Sequence, residues 1–260
     1  MKIGIVLDAL ERFAPLPLQE SYDNAGLQIG ITEAEVSGVL LCLDVTEGVV
    51  DEALARDCNL IVSHHPLIFH KLAHVSDSTY VERCVMKAIK NDIAIASMHT
   101  NLDSARGGVN YKIAEKMGLG QITGIGDTKN VDGVDGASGV IGVLEKPMVA
   151  DDFIAMLKHT FNVECVQANR PLRRQISKVA LCGGAGSFLL DDAVRAGADA
   201  FVTGEMHYHE FFGHDGQLQI AVIGHYQSEQ FTAEVLRSVI EPLGVRCCMS
   251  EINTNPIYYF

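Results

Sequence analysis

Asn59-Leu60-Ile61-Val62-Ser63-His64-His65-Pro66 is the stretch on which the fold turns. Asn59 to Val62 reads as a short buried strand, and Val49 to Arg56 before it is helix-like. Pro66 cannot donate to a strand ladder, so the strand must stop where the imidazoles begin. In an open α/β sheet, ligands bind beyond the carboxyl ends of the strands. Adjacent strand residues point to opposite faces, but a chain that is already turning can send both rings into one cavity. Each imidazole could then hold a different metal ion. Taken alone, the pair reads equally well as surface histidines of a loop.

Outward from this stretch, helices and strands alternate. Ile3, Val6, Leu7, Leu10 and Phe13 recur at helical spacing and predict a first helix that stops before Pro15. Val39 to Leu43 is a buried strand ending at Asp44, followed by a helix over 46–56 and the strand over 59–63. A helix over 79–90 leads into the strand Ile93 to Met98, which runs out in His99-Thr100-Asn101-Leu102-Asp103, and a further helix spans Gly108 to Met117. Such alternation predicts a mostly parallel sheet flanked by helices. The glycine-rich stretch from Gly118 to Gly142 reads as a hinge or domain boundary. A strand over Gly139 to Leu144 and a helix over Val149 to Thr160 then open a second lobe.

That second lobe repeats the first. Slid by 140 positions, residues 41–65 fall without a gap on 181–205, with Leu41, Cys42, Asp51, Ala53 and Val62 meeting identical residues. His64-His65 lands on Gly204-Glu205. At a different offset, His99 and Asp103 match His225 and Glu229, so both lobes end a strand in a histidine with a carboxylate four residues on. The expected fold is therefore two similar α/β lobes, each a mostly parallel sheet flanked by helices. Residues 1–126 carry His64, His65 and Asp103, and residues 127–260 carry His225 and Glu229. The segment after Glu229 is expected to pack back on the first lobe, and Tyr258-Tyr259-Phe260 to pack at a lobe or subunit interface.

Composition narrows the function. The chain has 260 residues, 48% hydrophobic and 20% charged, which suits a compact protein rather than a disordered one. A net charge of -13 disfavours nucleic acid as a partner, because gripping a phosphate backbone needs dense Lys and Arg. The 7 cysteines lie scattered, some inside apolar runs, and form no Cys-x-x-Cys pair. That fits reduced thiols in a cytoplasm and argues against a thiolate zinc site. No apolar run reaches membrane-spanning length and no signal peptide is evident, so a cytoplasmic protein without a membrane partner is expected.

If the lobes face one another, His64, His65 and Asp103 meet His225 and Glu229 where they join. Three imidazoles and two carboxylates suit two divalent first-row ions (Zn, Mn, Fe, Ni or Co), one carboxylate bridging. A set of hydrogen-bonded histidines at a lobe interface is the competing reading. Glu205, at the repeat position of the histidine pair, is a candidate general acid or base, or a partner that orients a ligating imidazole. His209 and Asp44 are further candidates near the same mouth. His99 is assigned a supporting or substrate-binding role. Cys182-Gly183-Gly184-Ala185-Gly186-Ser187 follows a strand and opens a helix, so the amides at Gly183, Gly184 and Gly186 could cradle a phosphate. A plain tight turn explains it equally well.

Ser63-His64-His65-Pro66, His99-Thr100-Asn101-Leu102-Asp103, Thr203-Gly204-Glu205 with His209, and Gly224-His225 with Glu229 carry a resemblance. Together with Tyr22-Asp23-Asn24 and Gly26-Leu27, they resemble the GTP cyclohydrolase 1 type 2 homologue family over about Leu7 to Val245. The resemblance implies metal ligands at His64, His65, Asp103, His225 and Glu229, and a toroidal homohexamer whose metal sites face an inner cavity. Tyr22 stands where that family often has tryptophan, and the Gly118–Gly142 connection leaves no room for the extra domain of some members. The implied function is dinuclear metal-dependent hydrolysis of a small molecule, with ring opening of GTP as the family name suggests. A non-enzymatic, ring-shaped metal-binding scaffold is the alternative.

Overall fold

The computed structural model describes residues 1–258. In chain order the first elements are α1 (Ile3–Phe13), β1 (Gly26–Ile29), β2 (Val39–Cys42), α2 (Glu47–Ala55), β3 (Leu60–Ser63), α3 (Tyr80–Lys90), β4 (Ala94–Ser97) and α4 (Thr100–Ser104). Next come α5 (Val109–Lys116), β5 (Leu119–Val131), β6 (Val134–Met148), α6 (Ala150–Phe161), β7 (Gln167–Ala168) and β8 (Ile176–Cys182). The chain continues with α7 (Leu190–Arg195), β9 (Ala200–Thr203), β10 (Gln219–Val222) and α8 (His225–Glu229), and closes with α9 (Thr232–Ile240) and β11 (Cys247–Met249). These elements form two compact units, 1–102 with 232–260, and 103–231.

The first unit is built on a five-stranded sheet in the order β1-β4-β3-β2-β11. All pairs are parallel except β1 with β4. Leu40, Ile61 and Ile95 pack with Val49, Val50 and Val85 of α2 and α3 in one apolar cluster. The alternate residues Leu41, Leu60 and Val62 are equally buried, and α9 packs on β2 with α1 beside it, so the sheet is covered on both faces. Each such side chain contributes about 1.5–3 kcal/mol on burial. Thr46 and Thr79 cap α2 and α3 by accepting from the amides of Val49 and Glu82, which sets both helix starts.

The second unit carries the six-stranded sheet β5-β6-β8-β9-β10-β7. Its centre, β8-β9-β10, is parallel, while β5, β6 and β7 join antiparallel. This sheet is thus more mixed than the expected pattern, and the cause lies in the glycine-rich stretch. Residues 118–142 are no hinge: they supply all of β5 and the first part of β6, a long hairpin within one unit. Asp132 and Gly133 at its tip have φ of 51° and 85°, the paired positive values of a tight two-residue hairpin turn. A boundary between residues 126 and 127 would cut β5 in two.

The internal repeat is present in the architecture. The register Val39↔Leu60 of β2 and β3 recurs 140 positions on as Val179↔Ala200 of β8 and β9. The third strands occupy the same place, one residue out of step with the match of His99 to His225: Met98 N–H donates to Ser63 O at 2.9 Å, and Ile223 N–H donates to Thr203 O at 3.0 Å. The segment after Glu229 belongs to the first unit, where β11 pairs with β2. Of the aromatic finish, Tyr258 is exposed, and Tyr259 and Phe260 lie outside the described residues.

Candidate metal centre

In the first unit the end of β3 is held on both sides. His64 N–H donates to Cys42 O and His65 N–H to Leu43 O, so the histidine pair stays stitched to the strand β2 side as the chain turns. Ser63 Oγ donates to His65 O at 2.8 Å and lies 3.0 Å from Ser97 Oγ, which pins the turn to β4. The two adjacent rings consequently share one space, with centroids 4.8 Å apart. His99, after β4, brings a third ring to 5.2 Å from His64 and 5.4 Å from His65. One ring nitrogen from each of the three lies within 4.8 Å of the others, close enough to hold a metal ion.

Each imidazole is anchored through Nδ1. His64 Nδ1 donates to Met98 O at 2.8 Å, His65 Nδ1 to Asp44 Oδ1 at 2.7 Å, and His99 Nδ1 to Asp23 Oδ1 at 2.7 Å. A proton held at Nδ1 leaves the lone pair on Nε2, the arrangement of metal-binding histidines oriented by an outer carboxylate or carbonyl. Burial opposes the charge on Asp44, but hydrogen bonds from His65 and Thr254 and the nearby imidazoles outweigh it and hold the carboxyl below its ordinary range. For Asp23 burial likewise raises and His99 and Thr100 lower, with the balance at about 2. Both groups are therefore carboxylates, able to accept from Nδ1–H.

The second unit presents His225, Glu229 and Asp103. His225 opens α8 and Glu229 ends it, one turn apart on the same helix face. His225 Nδ1 donates to Glu205 Oε1 at 2.9 Å, and its Nε2 lies 3.1 Å from Glu229 Oε2. About 3 Å is the separation expected of two ligands of one ion with metal–ligand bonds of about 2.0–2.2 Å. Oxygens of Asp103 and Glu229 lie within 4.8 Å of each other. Glu229 is buried, at 3% exposure. The Nδ1 anchoring of the first unit's three histidines thus recurs at His225, and hard carboxylate and borderline imidazole donors fit a divalent first-row ion.

The glycine turn after β8 has a different role from the one expected. The amide of Gly183 donates to Asn110 Oδ1 at 2.9 Å, that of Gly184 to Ser228 Oγ at 3.0 Å and that of Gly186 to Thr203 Oγ1 at 3.0 Å. With all three donors committed, the turn is not a phosphate cradle. It makes room: a Cβ on Gly184 would lie 2.4 Å from Glu229 Oε1, and φ there is +57°.

The other sequence candidates separate. Asp44 holds His65, with its second oxygen accepting from Thr254 Oγ1 at 2.6 Å. Glu205 orients His225, one of its two expected roles. His209 is exposed in the short turn Tyr208–Phe211, its ring beside Tyr208 and Phe212. His99 joins the imidazole cluster directly. Sequence reasoning missed Asp23, which holds His99 and accepts from both the amide and the hydroxyl of Thr100. It missed Asn110 too, which ties Gly183 to the Asp103 carbonyl. Asp23 sat within a quoted motif, Tyr22-Asp23-Asn24, and that was the available signal.

Residues 1–256 match the Duf34/NIF3 (NGG1p interacting factor 3) family. The chain belongs to that family. Among DUF34/NIF3 relatives, the GTP cyclohydrolase 1 type 2 homolog of Clostridium perfringens is 35% identical over 232 residues, covering 88% of this chain and 87% of the relative. NIF3-like protein 1 of Drosophila melanogaster is 31% identical over 263 residues, covering 98% of this chain and 88% of the fly protein. The crystal structure of Staphylococcus aureus protein SA1388 superimposes with a TM-score of 0.92 at 31% identity, covering 100% of this chain and 99% of that one. The Bacillus cereus protein related to NIF3 gives 0.87 at 26% identity. Two α/β sheets flanked by helices are therefore a family architecture. Among the described residues, no helix is long and apolar enough to cross a membrane.

Proposed function

We propose that this DUF34/NIF3 protein is a dinuclear metal-dependent hydrolase acting on a small molecule. His64, His65, Asp103, His225 and Glu229 are the ligands in this reading, with His99 beside the first two. One observation supports it above the rest: four imidazoles, from three separate places in the chain, all have Nδ1 anchored to a carboxylate or carbonyl. Histidines that merely pack have no reason to share one tautomer. Bound divalent ions would supply Lewis-acid activation of water and of the substrate's electrophilic atom.

The chain's own residues do the rest. Asp44, Asp23 and Glu205 keep a proton at Nδ1 of His65, His99 and His225, which fixes each ring's orientation and raises its basicity at Nε2. Gly184 leaves the space that the Glu229 carboxylate occupies. The names of the bacterial relatives support a nucleotide such as GTP as the first substrate to try. The reading includes a toroidal homohexamer in the cytoplasm, a compartment that suits seven cysteines that form no disulfide among the described residues.

The test is metal analysis of the purified protein, followed by a hydrolase panel that includes GTP, before and after chelation. Turnover that vanishes with chelator and returns with Mn or Zn is expected. Absence of stoichiometric metal, or turnover indifferent to the chelator, would overturn the proposal. Ring dissociation on chelation without turnover of any substrate would point instead to the metal-binding scaffold.

A further inference from the structure

The second unit holds a cavity of about 510 Å³ that the metal ligands do not line. It lies between the first turn of α5 and one face of the β5–β6 hairpin. Two backbone ties build it: Ala105 bridges to Gly136, and Arg106 N–H donates to Asp135 O at 2.9 Å. Gly124, Gly136 and Ala137, three small residues, are part of its lining. Register shifts between Gly120 and Thr123 and between Ile125 and Thr128 bend the hairpin along the same stretch. The volume falls in the range of small-molecule sites.

The walls are cationic in a chain of net charge -13. Arg106, Lys129 and Tyr111 line it, with the hydroxyls of Thr123 and Thr128. Arg106 is exposed, and among the described residues its guanidinium makes no hydrogen bond or ion pair. The one carboxylate in the lining, Asp135, accepts at 2.7 Å from Asn130 Nδ2, which lines the cavity too. A guanidinium fork, an ammonium, a phenol and two hydroxyls in one concave space are the donors that a tetrahedral oxyanion takes. A surface arginine with no cavity beside it would carry no such meaning.

We propose that this cavity binds a phosphate-bearing small molecule, with Arg106 as its principal contact. The experiment is calorimetric titration of the full-length protein with pyrophosphate and with citrate, run in chelator so that metal-borne phosphate binding does not contribute. Saturable pyrophosphate binding is expected, weakened at least tenfold by Arg106→Glu and several-fold by Arg106→Gln. Arg106 is exposed, so both variants should keep the wild-type circular dichroism and melting temperature, and the glutamine variant carries the test if charge reversal disturbs folding. No saturable binding in chelator, equal affinity in both variants, or tighter binding of citrate than of pyrophosphate would overturn the assignment.

Discussion

Asp44 and His65, 21 positions apart, are joined side chain to side chain at 2.7 Å, and Thr254 from the far end of the chain holds the other oxygen of the same carboxylate. His65 is thus oriented by a carboxylate just after β2 that a residue near the end of the chain holds in turn. An imidazole whose outer partner is removed keeps its place on the strand but loses its preferred tautomer.

Asp44→Ala should therefore lower metal affinity about 10–100-fold while leaving the fold intact. Competition against a colorimetric chelator measures the affinity, and far-ultraviolet circular dichroism checks the fold. Unchanged affinity would remove Asp44 from the centre.

Gly184→Ala places a methyl group 2.4 Å from Glu229 Oε1 at a backbone φ of +57°. The strained backbone alone costs about 1–3 kcal/mol. Glu229 must also move, so the variant is expected to lose both melting temperature and bound metal. Retention of full metal content would show that Glu229 is not held where Gly184 leaves room for it.

Asn110 is buried, accepting from the Gly183 amide and donating to the carbonyls of Asp103 and Ser138. Asn110→Ala leaves a buried amide without its acceptor, a loss of about 1–3 kcal/mol that urea denaturation would read as a lower midpoint at unchanged slope.

Thiol reactivity should rank by burial. Burial pushes the Cys84 thiol up to about 11 and raises Cys42 further, so both stay protonated near neutral pH, whereas Cys165 is exposed. Alkylation at pH 7.5 followed by peptide mass spectrometry should label Cys165 first, and Cys42 and Cys84 only in denaturant.

Much of this was legible in the residues, and the exceptions have physical causes. Val39 to Cys42 and Leu60 to Ser63 announced themselves because strands buried on both faces read as unbroken apolar runs. The β5–β6 hairpin did not, because its exposed face is glycine, threonine and lysine, which look like linker. Asp132-Gly133 was nonetheless a direct hairpin signal that the glycine count obscured. Asp103, His225 and Glu229 could be picked out by the repeat, and His64 and His65 by the strand end they follow, whereas Asp23 could not be given a role because its partner His99 lies 76 positions away. The glycine turn misled because spacing says nothing about whether an amide already has an acceptor.

Strand β11 lays Cys247–Met249 along β2, so the first sheet is finished by residues made after the whole of the second unit. At about 5–20 residues per second, the ribosome needs on the order of ten seconds or more to deliver them. Through that interval the Val39–Cys42 strand waits with one apolar edge uncovered, the kind of edge that invites pairing with a neighbouring nascent chain. Translation stalled or ended before Cys247 should consequently yield material prone to clump, even though every candidate ligand has already been made.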